Sequence, residues 1–498
     1  MEKEEIGGMP PCIRLLAPYL PRDRIRRNRF IGILTICLTF TVHICFAASR
    51  KPLTLVQMKV TVECNLSAVS YSNYSYIPNW CSGGWWKNAD RSVEHMMGNL
   101  LTGFLLIRGV TSYGSGIIAD MINPRYFLSA GCFLTGSFAI FLGLAEKWNI
   151  ASYEYFGTVM ANFAIFQSMA WPILLACTNN WYDGFRRGLF YGIWNISNYV
   201  GSLLGALVTF VFIDDRWGWC FFVPAIVLFA VGLVCWSLLV VHPSDLKALD
   251  NEKKKDQYVD SEMELPRWLD PSRGINFMQA VRIPGVIEFS LCSFFCGVTS
   301  YFFSYVFHCY NLEDLEKIPS VSAFYAMSFI TGAITGGLIV GVLKDMFQKS
   351  ALLCICILVI SVPVIYLQLL FLNCTHGVFA VILHFVLGLF VEAPYILLKL
   401  SVSADLGTHR MIKRGVRGLS TVAGIVEGAA LIGSSLAPII YIHVVKFNYR
   451  NALLIMPAFQ ILAALCLLRM AIADYKKNIA RVSLSDYLKT TPRSLSYV

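Results

Sequence analysis

The residues most able to do chemistry in this chain are charged side chains set inside apolar runs. Arg50 stands past the middle of a long apolar segment that opens at Phe30, flanked by Ala47, Ala48 and Leu53. A guanidinium in hydrocarbon costs several kcal/mol unless it meets water or an anion, so it marks a pathway. Its planar fork also fits two phosphate oxygens at once. The competing reading is an arginine that snorkels to the nearer interface. Lys51 lies about 100° further round the helix and reads as an electrostatic neighbour. Arg108 and Lys399 also fall within apolar segments. For Arg108 the alternatives are a pathway cation and a partner for a carboxylate such as Glu427. For Lys399 they are a pathway cation and a side chain snorkelling towards the interface, and snorkelling is the simpler of the two. Glu392 and Glu427 are intramembrane as well. Glu392 and Lys399 share a face about 10 Å apart along the axis, too far for a direct pair. A buried carboxylate that takes a proton could couple protons to transport; the alternative is a counter-ion for Arg50 or Arg108. Gln167, Trp171 and Tyr395 could orient a polyol by hydrogen bonds, or could simply pack helices.

The elements that must position these groups are membrane helices. The chain has 498 residues, 56% of them hydrophobic and only 14% charged, with mean hydropathy +0.59. A soluble domain of this size needs far more polar surface. Uncharged runs such as 30–46, 219–241 and 351–372 match a hydrocarbon slab of about 30 Å. The pattern predicts an all-α polytopic protein with about twelve helices, near 30–58, 96–118, 126–145, 152–178, 187–212, 219–241, 284–310, 321–344, 350–371, 376–403, 417–445 and 449–472. The charged stretch 242–283 then joins a first bundle (30–241) to a second (284–472), between tails 1–29 and 473–498. The first helix reads as a retained signal anchor, being too long for a cleaved leader.

The basic residues cluster at Arg22–Arg29 and in alternate loops, which places both termini in the cytosol. That scatter gives the net charge of +10 no nucleic-acid meaning. The loop 59–95 falls on the other side and carries two glycosylation acceptor sequences, at Asn65 and Asn73, together with Cys64 and Cys81, which could form a disulfide there. Asp120 and Arg125 in the turn after the second helix, and Asp345 after the eighth, suit gating contacts on the cytosolic side. No nucleophile–base set, Walker loop, dinucleotide fingerprint or metal-ligand spacing is present. The expected partners are a small anionic solute and the bilayer, with no cofactor, metal, ATP or nucleic acid, and no enzymatic activity.

Several motifs resemble those of the sugar-phosphate exchangers (solute carrier family 37) and their bacterial glycerol-3-phosphate antiporter cousins, within the major facilitator superfamily. They are Ser49-Arg50-Lys51-Pro52, Trp171-Pro172, Asn180-Trp181, Arg187-Gly188, Gly192-Ile-Trp-Asn195, Gly285-Val-Ile-Glu288, Ser403-Ala-Asp405-Leu-Gly-Thr-His409 and Leu419-Ser-Thr-Val422. The matches span nearly the whole chain. The resemblance implies two six-helix bundles around a midplane site, antiport of a glycerol or hexose phosphate against inorganic phosphate, and residence in the endoplasmic reticulum. It adds Asn195 and Asn198 to the substrate-binding candidates. It also marks departures: relatives carry a second cation in helix seven where this chain has Gly297, a histidine in helix five where it has Ser197 or Asn198, and a basic residue where it has Met121. Arg108 and Lys399 are the candidates to compensate. The alternatives are a non-transporting sensor of the same fold and a transporter retuned to a less charged solute.

Overall fold

The computed structural model describes residues 10–21, 23–69, 93–150, 152–182, 186–214, 216–246, 274–313, 319–371, 378–409, 412, 417–445 and 449–490. Two bundles of six helices account for most of them. The first bundle comprises α1 (Arg24–Val69), α2 (Val93–Met121), α3 (Pro124–Lys147), α4 (Tyr153–Gln167, resuming at Ala170–Trp181), α5 (Arg187–Phe212) and α6 (Trp219–Leu238). The second comprises α7 (Val286–Glu313), α8 (Pro319–Phe347), α9 (Ser350–Leu370), α10 (Val378–Leu397, continuing through Ser403–Gly407), α11 (Leu419–Ser434, continuing through Leu436–Ile440) and α12 (Tyr449–Thr490).

Eleven stretches of the described residues are long and apolar enough to cross a membrane. The twelfth helix, α2, has 29 residues and is not among these stretches; it packs between α4 and α11 inside the protein. Lipid-facing helices show the opposite character: Leu207, Phe210 and Val211 of α5 are exposed and apolar.

Proline sets the local breaks that place the functional residues. Pro172 has no N–H, and its ring crowds the carbonyl four residues earlier, so α4 breaks at Ser168–Met169. The Ser168 carbonyl instead accepts the Ser115 hydroxyl at 3.0 Å, which ties α4 to α2. The break sets Gln167 at the end of one half-helix and Trp171 at the start of the next. In α10, Pro394 precedes a π-turn over Leu398–Val402 that contains Lys399. Such turns rotate the residues they contain relative to a regular helix.

The first helix departs from its expected bounds, starting at Arg24 and running to Val69 instead of spanning 30–58. Its basic first turns stay helical because long cationic stems can cover apolar surface while their heads reach water. Cys64 and Asn65 therefore lie on the end of this helix and not in a loop, whereas Asn73 and Cys81 lie outside the described residues. At the other end α12 continues well past residue 472.

The bundles meet along α2 with α11 and along α5 with α8. On the face where α1 begins, here the terminal face, two carboxylates join them. Asp120 at the end of α2 accepts the Ser420 N–H (3.3 Å), the Thr421 N–H (2.8 Å) and the Thr421 hydroxyl (2.7 Å) at the start of α11. Asp345 at the end of α8 accepts the Gly188 and Leu189 N–H groups at 2.7 and 2.8 Å, at the start of α5. Each carboxylate caps a helix of the opposite bundle, where unpaired N–H groups and the helix dipole favour negative charge. Replacing Asp120 by alanine removes about 2 kcal/mol of closure, roughly 30-fold in population. Thiol labelling of a cysteine placed at Ala423 should accelerate by about that factor. An unchanged labelling rate would mean that the remaining contacts hold this face shut by themselves.

Arg125, the third gating candidate, does not join the bundles through its described hydrogen bond. Its Nη2 donates to the neighbouring Tyr126 hydroxyl at 2.8 Å, and its guanidinium lies over that ring. Lys344 and Asp405, 2.6 Å apart, pair α8 with α10 inside the second bundle.

Candidate functional site

Arg50 owes its position to the close approach of α1 and α5. A Cβ on Gly201 or Gly205 would lie 2.4 Å from the Ile44 or Ala48 carbonyl oxygen, so only glycine admits this contact. Pro52 removes the helical donor that the Ala48 oxygen would otherwise accept. Arg50 then reaches across to α4 and α5: Nη1 donates to Gln167 Oε1 at 3.4 Å and Nη2 to Asn198 Oδ1 at 3.2 Å. Gln167 is oriented by its own bond to Ser49 Oγ, 2.9 Å. Both acceptors are neutral, and among the described residues no carboxylate lies within ion-pair distance of Arg50. Its charge is held in place without being cancelled.

Lys399 does not snorkel. Its side chain is buried, with Nζ 3.1 Å from Glu427 Oε1 and 4.0 Å from the Trp171 ring centroid. The π-turn of α10 points the ammonium inward, where a carboxylate and an aromatic face replace the interface it would otherwise seek. Arg108 satisfies both of its alternatives: Nη2 lies 3.7 Å from the same Glu427 oxygen, and the side chain also faces the central cavity. Glu427 is thus the counter-ion of Arg108 and Lys399, not of Arg50. Glu392 is held differently, accepting the Ser300 hydroxyl at 2.5 Å beside Tyr199 of the cavity lining.

These groups converge on one cavity of about 230 Å³ between the bundles. The first bundle contributes Arg50, Lys51, Arg108, Asn195 and Asn198; the second contributes Glu392, Tyr395, Lys399 and Glu427. Gln167 and Trp171 stand behind this lining and support its cations. The lining runs from Ala47 and Lys399 towards Thr54, Tyr305 and Ala326 on the far side. Towards the terminal face the chamber is floored by aromatic rings: His43 stacks on Trp194 at 4.8 Å, and Trp171 tilts against both.

His43, Tyr199, Ser300 and Tyr301 also surround this cavity without standing out in the sequence. His43 is buried and bonds Ser197 of α5 at 2.7 Å. A signal existed, since His43 stands seven residues before Arg50 and hence on the same helical face. Tyr199 and Ser300 carry no such mark, because their role depends on which helices pack together.

Gly297 has a structural explanation. A Cβ there would lie 2.2 Å from the Ala430 carbonyl oxygen of α11, and the Ser434 hydroxyl donates to the Gly297 carbonyl at 3.1 Å. No cation fits on α7 at this point, and the second bundle brings its cation from α10 instead. Gly297→Ala is expected to cost about 1–3 kcal/mol through overpacking, read as a lower unfolding midpoint in detergent. An unchanged midpoint would mean that α7 and α11 separate freely.

A Major Facilitator Superfamily family model matches residues 88–412. The chain is 30% identical over 494 residues to the glucose-6-phosphate exchanger SLC37A2 of Xenopus tropicalis, covering 94% of this chain and 97% of that protein. It is 29% identical to the Homo sapiens exchanger of the same name, covering 92% and 95%. It is also 29% identical to the Homo sapiens glucose-6-phosphate exchanger SLC37A1, covering 87% and 90%. Among solved structures, the fucose:proton symporter FucP of E. coli superposes with a TM-score of 0.56 at 11% identity, covering 88% of this chain and 98% of that one. At that identity the likeness concerns the fold alone.

Proposed function

The chain belongs to the sugar-phosphate exchanger family of the Major Facilitator Superfamily, and on that footing we propose that it exchanges glucose 6-phosphate, or a closely similar sugar phosphate, for inorganic phosphate by alternating access. One observation carries this reading. Arg50, Arg108 and Lys399, from both bundles, face Glu392 and Glu427 in a single cavity, and among the described residues Arg50 has no carboxylate within ion-pair distance, so positive charge is in surplus when all are ionised. Unbalanced charge in a low-dielectric chamber is costly, and a phosphate dianion cancels it.

The geometry suggests how the anion is used. The Arg50 fork turns from two neutral amides to two phosphate oxygens, exchanging ordinary hydrogen bonds for charge-assisted ones. Asn198, which lines the cavity, is then free to meet a sugar hydroxyl. Lys399 shifts part of its interaction from Glu427 to phosphate and so engages the second bundle. An anion held by both bundles favours the state in which they close around it. Closing the empty chamber would bury the surplus charge, so the return step also needs an anion, and that requirement is exchange. The basic loops support a cytosolic terminal face, and the resemblance to the exchangers supports residence in the endoplasmic reticulum membrane.

The test uses purified protein in phosphate-loaded liposomes. Uptake of labelled phosphate and of glucose 6-phosphate should be saturable and should require internal phosphate. Flux of some other solute, with neither phosphate exchanged, would change the substrate class. Silence towards every solute would make the chain a binding or sensing protein.

A further inference from the structure

The two carboxylates of the cavity stand in different surroundings. Glu427 lies between two cations, 3.1 Å from Lys399 and 3.7 Å from Arg108. Glu392 is buried among hydroxyls: Ser300 donates to it at 2.5 Å, and Tyr199 of α5 shares the cavity lining with it. Among the described residues no cation lies within ion-pair distance of Glu392. Two titratable groups in one chamber with such different environments take different roles. Glu427 is the counter-ion of two cations. Glu392 can be held in either form, because a hydroxyl donates to a carboxylate and accepts from a carboxylic acid.

We propose that Glu392 binds and releases a proton in each transport cycle, so that anion exchange is coupled to proton movement. The groups facing it are compatible with this. From α5 come Tyr199 and Asn195, and from α7 come Ser300, Tyr301 and Tyr305. Within α10, Tyr395 and Lys399 share the cavity; α1 adds Arg50 and Lys51, α2 adds Arg108 and α11 adds Glu427. The α8 helix brings Ala326, Phe329 and Ile330 to the lining. The α9 helix places Gln368 beside His384, two turns from Glu392 along α10.

In the step itself, a hydronium ion in the open cavity gives its proton to the Glu392 carboxylate and leaves water. The new O–H donates to the Tyr199 or Ser300 oxygen. When the opposite face opens, water takes the proton back. Two features link this to anion movement. Tyr199 and Glu392 line the cavity from opposite bundles, so rocking must change their separation. A phosphate dianion beside an ionised Glu392 also puts like charges in one closed chamber, and the proton removes one of them.

Coupling rests on the exchange reading, whereas proton binding at Glu392 does not, and two measurements keep them apart. The first is infrared difference spectroscopy of the purified protein, without anion, between acidic and alkaline buffer. The carboxylates common to all variants contribute equally, and one further carboxylic-acid carbonyl component, present in the wild type and in Glu427→Gln, is expected to be missing from Glu392→Gln. A Glu392→Gln spectrum identical to that of the wild type overturns the proposal. The second is the ratio of protons to labelled phosphate moved into liposomes holding a trapped pH dye. Protons carried by phosphate itself are common to both proteins, so the ratio should fall in Glu392→Gln for whatever flux remains. Equal ratios overturn the coupling. If the band behaves as expected but the wild type exchanges no phosphate, the proton site stands and the exchanger reading falls.

Discussion

Arg50→Ala is expected to lower phosphate exchange in liposomes by at least two orders of magnitude. The guanidinium would make two charge-assisted hydrogen bonds to the anion, each worth about 1.5–3 kcal/mol. Their joint loss corresponds to roughly 10²–10⁴ in affinity. Folding should be spared, because removing Arg50 strands two neutral acceptors, Gln167 and Asn198, beside a polar cavity where water can replace the donor. Arg50→Lys should recover only part of the activity, since an ammonium keeps the charge and loses the fork. Full exchange in Arg50→Ala would remove this residue from the substrate path.

Glu427→Gln is expected to destabilise the protein and to make its stability depend on phosphate. Lys399 and Arg108 converge on one oxygen of this carboxylate, at 3.1 and 3.7 Å. Breaking a buried pair by removing one partner costs about 3–5 kcal/mol, and water in the cavity lowers that figure. The unfolding midpoint should therefore fall in phosphate-free buffer. Added phosphate should restore more stability to the variant than to the wild type, because it supplies the charge that Glu427 supplied. Equal shifts in both proteins would mean that phosphate does not approach Lys399 or Arg108.

The helical layout was readable in advance because a hydrocarbon slab imposes its length on every apolar run. Asp120 and Asp345 were legible as joints since each ends a helix at a short turn. Arg50 was legible because its charge has no business in hydrocarbon without an anion or water. Lys399 was misjudged because depth along a helix says nothing of rotation, and here a π-turn after Pro394 sets the rotation. Its long stem would have reached an interface equally well. Gly297 looked like a loss in the sequence; the contact that forbids a side chain there is made with Ala430, far away in the chain. Tyr199 and Ser300 escaped for the same reason, since their importance comes from a carboxylate on another helix.

The most direct test is a structure of the purified protein determined with inorganic phosphate or glucose 6-phosphate bound. The phosphoryl group should sit in the central cavity, its oxygens within hydrogen-bond distance of both the Arg50 guanidinium and the Lys399 ammonium. Density for the anion elsewhere, or an anion touching neither side chain, would contradict the account.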